Sequence, residues 1–325
     1  MSIDISKGAR IVVQDWLRVH PSEIVSIITD ELHQEESLVL RKEIELARGL
    51  PILVTIPSDQ PQRGEQYDSL CASFIKNADA AIGATHNSIM TMRSISEATA
   101  AGLRFLSLPL STNNGLSLLQ SDMMLMNPDE AQAMGIRLVR FFEMIDHVHL
   151  RTDDGTDLQF SINGRKRNIF NGRCDKSGIS TSVSFEFSVS IVESSTEGSL
   201  VLDGSMGYIG LVEEPVHLRF EKGWLVEIED NASGRRLRHY IDSFKDARMA
   251  VPAEFGIGLN KYAKCQGNSY IEDESSFGTF HIGFGRNISL GGNHYANGHF
   301  DVICHASTLK VNDIPLAVMR DNPNT

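Results

Sequence analysis

Hydrophobic and polar positions follow two different periods along this chain, and the change falls near residue 150. Before it, apolar residues recur three or four apart over 6–19, 35–50, 67–77, 88–101 and 128–146, the spacing of one helical face. Short apolar runs at 23–29, 51–57, 80–84 and 103–109 lie between them and have strand character. Gly49 and Gly102 stand where two of the helices close, and prolines bracket the run at 51–57. Strands alternating with helices predict a mainly parallel sheet covered by helices. Beyond residue 150 the segments 156–162, 183–189, 216–220 and 224–228 alternate apolar with polar, as half-buried antiparallel strands do. Residues 163–165 and 221–224 read as hairpin turns, and 240–250 is the best helix candidate of this half. The expected fold is therefore α/β plus α+β. A mainly parallel α/β domain (1–150) precedes a β-rich antiparallel domain (151–325) that carries the candidate metal-binding residues.

Charge narrows the partners. The 325 residues are 41% hydrophobic and 22% charged, with a net charge of -12. An acidic chain repels nucleic acid and anionic membrane surfaces, and the one basic run, Arg165-Lys166-Arg167, is too short to reverse that. No stretch approaches the ~18 apolar residues of a membrane span. The first residues lack the apolar core of a secretion signal, and the cysteines (Cys71, Cys174, Cys265, Cys304) form no Cys-x-x-Cys pair. Reduced thiols and a cytoplasmic location are the simple expectation.

The chemistry concentrates near the end. His299 and Asp301 are two apart, so on a strand both face one way, and His281 precedes Ile-Gly-Phe-Gly. Two imidazoles and a carboxylate make a minimal catalytic metal site with positions left for water or substrate. Glu254 sits among small and apolar residues in Ala-Glu-Phe-Gly-Ile-Gly, where a carboxylate needs a partner that a metal could supply. Within the acidic run Glu272-Asp273-Glu274, Glu272 is the preferred further ligand. Glu197 opens an alternating strand after a turn. His86 ends an apolar strand of the first domain, where carboxyl ends of parallel strands meet ligands, and could act as an acid or base. P-loop, dinucleotide, Gly-x-Ser-x-Gly and His-Glu-x-x-His motifs do not occur.

Ala84-Thr-His86, Gly155-Thr-Asp, Thr196-Glu197-Gly, Ala253-Glu254-Phe-Gly-Ile-Gly, Gly278-Thr-Phe-His281-Ile-Gly-Phe-Gly and His299-Phe-Asp301 together resemble the aminopeptidase T family of metallopeptidases. The resemblance implies an α/β domain joined to a β-rich one, often dimeric, so a homodimer is expected. It implies two divalent metals, Zn or Co, held by Glu197, Glu254, His281, His299 and Asp301, with Glu254 activating a water for attack on a short peptide. The chain departs from the peptidases at Ser276, where they have a glutamate, leaving Glu272 or Glu274 to stand in. It departs again at Arg286-Asn-Ile, where they have a tyrosine. The scaffold is also similar to that of the iron-dependent 2,5-dihydroxypyridine dioxygenases. That resemblance implies one Fe(II) on His281, His299 and Asp301, a small hydroxylated N-heteroaromatic as substrate, and His86 as proton acceptor. A metal-dependent aminopeptidase is the leading expectation, the ring-cleaving dioxygenase the alternative, and a non-catalytic binding protein on the same scaffold the third.

Overall fold

The computed structural model describes residues 3–58, 68–90 and 92–316. The chain begins with α1 (Ile5–Arg10), which runs into a π-helical turn at Ile11–Trp16. The alternation then follows as β1 (Ile24–Asp30), α2 (Gln34–Leu46), β2 (Leu50–Ile56), α3 (Asp68–Ile75), β3 (Ala80–Ala84), α4 (Arg93–Ala100) and β4 (Arg104–Ser107). After α5 (Pro128–Glu143) come β5 (His147–Arg151), β6 (Asp157–Ser161), β7 (Arg167–Phe170), β8 (Ser180–Ser182), β9 (Glu186–Ser190) and β10 (Glu197–Leu202). The rest comprises β11 (Val216–Glu221), β12 (Trp224–Ile228), α6 (Ala232–Ser243), β13 (Pro252–Gly258), α7 (Tyr270–Ser275), β14 (Thr279–Gly285), β15 (His299–His305), β16 (Lys310–Val311) and β17 (Ile314–Pro315).

Two compact units result: Met1–Pro128 with Phe170–Ser184, and Asp129–Ile169 with Phe185–Thr325. The first holds a sheet of order β2-β1-β3-β4-β8 in which every pairing is parallel. Its inner strand β3 is buried at every position, as helices on both faces require. The second unit holds two antiparallel sheets, β12-β11-β10-β6-β5-β16-β17 and β15-β14-β13-β9-β7. The chain thus passes between the units three times, after residues 128, 169 and 184. Residues 170–184 return to add β8 beside β4, tied by Phe105 N–H to the Ile179 carbonyl (2.8 Å) and Val183 N–H to the Ser107 carbonyl (3.1 Å). A three-residue strand is too short to carry a readable period.

Helix boundaries shift for local reasons. The helix expected at 240–250 lies earlier, at α6, because the Asn231 side chain accepts from Gly234 N–H and caps its start. Lys245 then takes a positive φ of 51° and ends it, leaving only a 3-10 turn at Ala247–Ala250. The helix expected at 88–101 is confined to α4, and the start expected at Tyr67 lies outside the described residues.

The sheet β15-β14-β13-β9 has two unlike faces, and the register shows why. Asp301 pairs with Gly283, Gly283 with Glu254, and Glu254 with Ser190. The next row on the same side runs Ile303, His281, Gly256 and Ser188. The opposite side presents Phe187, Val189, Phe255, Ile257, Phe280, Ile282, Phe284, Phe300 and Val302, all buried. There Phe255 meets Phe142 (ring centroids 5.8 Å) and Phe160 (5.5 Å), Phe142 stacks on Phe187 (4.9 Å), and Phe284 on Phe300 (5.3 Å). Burial of these rings fixes the sheet and leaves its other side free for polar groups. We expect Phe255→Ala to destabilise the protein by about 3–5 kcal/mol, because it leaves a cavity beside the Phe142 and Phe160 rings. Urea unfolding monitored by circular dichroism checks this, and a loss below about 1 kcal/mol contradicts the packing account.

Candidate metal centre

Every group on the polar face owes its place to the period of two. Glu186 and Ser188 project from β9, Glu254 from β13, His281 from β14, and His299 and Asp301 from β15. All but His299 are nearly inaccessible, and His299 keeps partial access. The glycines between them are spatial requirements. A Cβ at Gly256 would overlap the His281 imidazole, so that ring lies across β13 toward β9. A Cβ at Gly283 would come within 2.7 Å of Asp301 Oδ1 and 2.8 Å of His299 Cε1, so those side chains lean across β14 toward Glu254.

The contacts form two groups that meet at one carboxylate. His281 Nε2 lies 2.9 Å from Glu186 Oε2. His299 Nε2 lies 3.1 Å from Glu254 Oε2 and 3.3 Å from Asp301 Oδ1. Glu186, Glu254 and His281 offer ligand atoms within 4.8 Å of one another, and so do Glu254, His299 and Asp301. Neighbours orient the donors. His299 Nδ1 is 2.8 Å from the Arg286 carbonyl, so Nδ1–H donates there and Nε2 is directed inward. The Ser188 hydroxyl donates to Glu254.

Electrostatics of the metal-free face are severe. Burial opposes charge on His281, yet its hydrogen bond to Glu186, with Asp301 and Glu254 nearby, raises its pKa to about 9. Desolvation likewise opposes charge on His299, and Asp301 and Glu254 together outweigh it and hold the group well above the usual imidazole value. Burial would raise Asp301, but the adjacent His299 charge outweighs it and the carboxyl sits below its ordinary value. Glu274, at the end of α7, goes the other way. Burial, then Glu186, Asp301 and Glu254, push it far up, so it holds a proton against its neighbours.

A cation fits this donor set. Asp301 Oδ1 is buried without a hydrogen-bond partner, a costly state that a bound ion relieves. Imidazole with carboxylate suits Fe(II), Zn, Co and Mn alike, so the donors alone do not select the metal.

A family profile for 2,5-dihydroxypyridine 5,6-dioxygenase matches residues 59–319, most of the chain. The chain belongs to this family. The 2,5-dihydroxypyridine dioxygenase of Pseudomonas putida KT2440 is similar in structure, with a TM-score of 0.76 at 16% identity over 94% of this chain and 96% of that one. AmpT from Thermus thermophilus is also similar, with a TM-score of 0.67 at 14% identity over 94% of each chain. At these identities the likeness is one of fold. No curated protein sequence matches.

His281, His299, Asp301 and Glu254 thus share one face in this member of the dioxygenase family. Glu197 does not join them. It is exposed at the start of β10 in the other antiparallel sheet, where its carboxylate accepts from Lys222 N–H at 2.8 Å. Glu272 does not either, because successive helical residues turn by ~100° and positions two apart on α7 face nearly opposite ways. Glu274 takes the inward direction. Asp273 is buried but structural, accepting from Gln266 and Gly267 N–H groups, and burial raises it to about 6. Glu186 was missed among the alternating residues 183–189. Its signal was a carboxylate on the small-residue side of a strand, in phase with Ser188 and Ser190. His86 lies in the other unit, after β3, half-buried beside His33 and Ser111. Burial and His33 lower its pKa in spite of Asp30. No helix among the described residues is long and apolar enough to cross a membrane.

Two outcomes test the site. Imidazoles must be neutral to bind metal, so loading the metal-free protein at pH 7.5 is expected to release protons, fewer as pH rises through about 9 for His281. Calorimetry in buffers of different ionisation enthalpy measures the number, and a value near zero contradicts the assignment. Gly283→Ala is expected to lower metal affinity by about 10–100-fold, since its Cβ displaces Asp301 and His299. Competition with a chromophoric chelator reads this, and unchanged affinity removes the steric account.

Proposed function

We propose that this protein is an Fe(II)-dependent ring-cleaving dioxygenase acting on a hydroxylated N-heteroaromatic of the 2,5-dihydroxypyridine type. The family match over residues 59–319 carries this reading. It is supported by two histidines and an aspartate on one side of a sheet, the donor types of non-haem iron oxygenases, with His299 and Asp301 grouped about Glu254 and His281 in the adjoining group that shares it. His281, His299 and Asp301 would hold the metal. Fe(II), when bound, supplies open coordination positions where O₂ and a hydroxylated ring can meet.

The chain's own groups do the remaining work. The Arg286 carbonyl keeps His299 Nε2 directed inward, and the Ser188 hydroxyl keeps Glu254 oriented. The aromatic underside of the sheet holds in register the strands that carry the donors. Glu274 holds a proton close to Asp301. In the first unit His86, largely neutral because its pKa is lowered, is the group suited to accept a proton.

A second reading has one observation in its favour. The two groups share Glu254, as a pair of bridged metals would require, and this suits an aminopeptidase-like hydrolase with Zn or Co. Metal content separates the two. The dioxygenase reading predicts one iron per chain after anaerobic reconstitution, with O₂ uptake and loss of ring absorbance from 2,5-dihydroxypyridine. His299→Ala and Asp301→Ala should each lower that turnover by about a hundredfold or more. Two zinc or cobalt ions per chain with release of N-terminal residues from short peptides, and no oxygen uptake, would reverse the order.

A further inference from the structure

The carboxyl end of the parallel sheet carries a cluster of its own. Asp30 ends β1, His33 caps the start of α2, Glu36 lies in its first turn, His86 follows β3, and Ser111 follows β4. His33, Glu36, Ser111 and Asp30 are buried, while His86 keeps access. His33 Nε2 is 3.4 Å from His86 Nδ1, with the rings nearly parallel at 22°. His33 Nδ1 lies 3.6 Å from Glu36 Oε1, too long for a hydrogen bond but facing the carboxylate. His86 Nε2 is 3.2 Å from Ser111 Oγ. Asp30 fixes the loop rather than the ring, accepting from His86 N–H (2.5 Å) and Leu32 N–H (3.1 Å).

We propose that Glu36, His33 and His86 form one proton relay that keeps the His86 proton on Nδ1 and leaves Nε2 as the acceptor. The direction follows from the charge at one end. The Glu36 carboxylate repels a lone pair, so His33 carries its proton on Nδ1. Nε2 of His33 then offers its lone pair to His86 Nδ1–H, and His86 Nε2 accepts from the Ser111 hydroxyl. The opposite tautomers would aim the His33 Nδ1 lone pair at Glu36. When His86 Nε2 takes up a proton, its Nδ1 proton passes to His33 Nε2. The positive charge then rests on His33, beside the Glu36 carboxylate, and His86 is neutral again. The lowered His86 pKa and the lowered Glu36 pKa agree with this division: burial opposes ionisation at Glu36, and the attraction of the adjacent His33 outweighs it. His33 and Glu36 are positioning residues, and their use in turnover rests on His86 being the proton acceptor of the dioxygenase reaction.

Nitrogen-15 NMR of protein labelled at histidine tests the relay without turnover, with His86→Ala to assign the signals. At pH 8 the wild-type His86 is expected to show a protonated Nδ1 and a bare Nε2, and Glu36→Gln and His33→Gln should shift that balance toward Nε2–H. A wild-type His86 protonated mainly on Nε2 overturns the relay, and this measurement needs no variant to fold. A balance that Glu36→Gln leaves unchanged overturns it equally. With Fe(II) and 2,5-dihydroxypyridine, His33→Gln is expected to lower kcat roughly tenfold while KM stays within about twofold. A relay seen by NMR in a protein that opens no ring leaves the relay standing and removes the dioxygenase reading. An active enzyme in which His33→Gln leaves kcat unchanged removes the relay from catalysis.

Discussion

Three carboxylates and two imidazoles share one side of a single sheet, a fourth carboxylate comes to them from α7, and their mutual charge is the constraint to which the second unit answers. Glu186, Glu254, Glu274 and Asp301 cannot all be ionised together in a low-dielectric interior without compensation. In the metal-free protein the compensation is protons, held by His281, His299 and Glu274. A divalent cation supplies the same compensation and frees those protons. The glycines at 256 and 283 exist for this face, because any side chain there would occupy the space into which the donors lean.

The same sheet shows how stability and chemistry are divided. Its apolar side is packed with phenylalanine rings whose burial holds the strands in register. That register is what brings groups from positions 186, 254, 281 and 301 to one place. The energy released on one side therefore offsets the cost of assembling like charges on the other. The first unit handles protons by a different device, a short line of imidazoles ending in a carboxylate at the carboxyl end of a parallel sheet, where α/β folds commonly present reactive groups.

Legibility along the sequence followed the reach of each signal. His299 and Asp301 were found because a two-residue spacing on a strand needs no knowledge of the partner strand. Glu254 was found because a carboxylate among glycines and apolar residues is anomalous in itself. Glu197 was placed in the site by resemblance, and the fold puts it in a different sheet at an exposed strand start. Glu272 and Glu274 are indistinguishable by composition, and only the phase of α7 separates them. Glu186 hid in an ordinary alternation, since nothing local says which side of a half-buried strand meets a metal.

The amino-acid sequence by itself determined the two periods, most of the elements of the first half, the parallel character of the first sheet, and which residues of each late strand share a side. These are local properties, set by sterics and side-chain direction within a few residues. Tertiary structure alone decided that β8 returns to the first unit, that β9 lies beside β13, and that Glu186 and Glu274 join the histidines. Strand pairing and helix phase operate across a hundred residues of chain, where the deciding energy is burial of whole faces, and no local pattern encodes that.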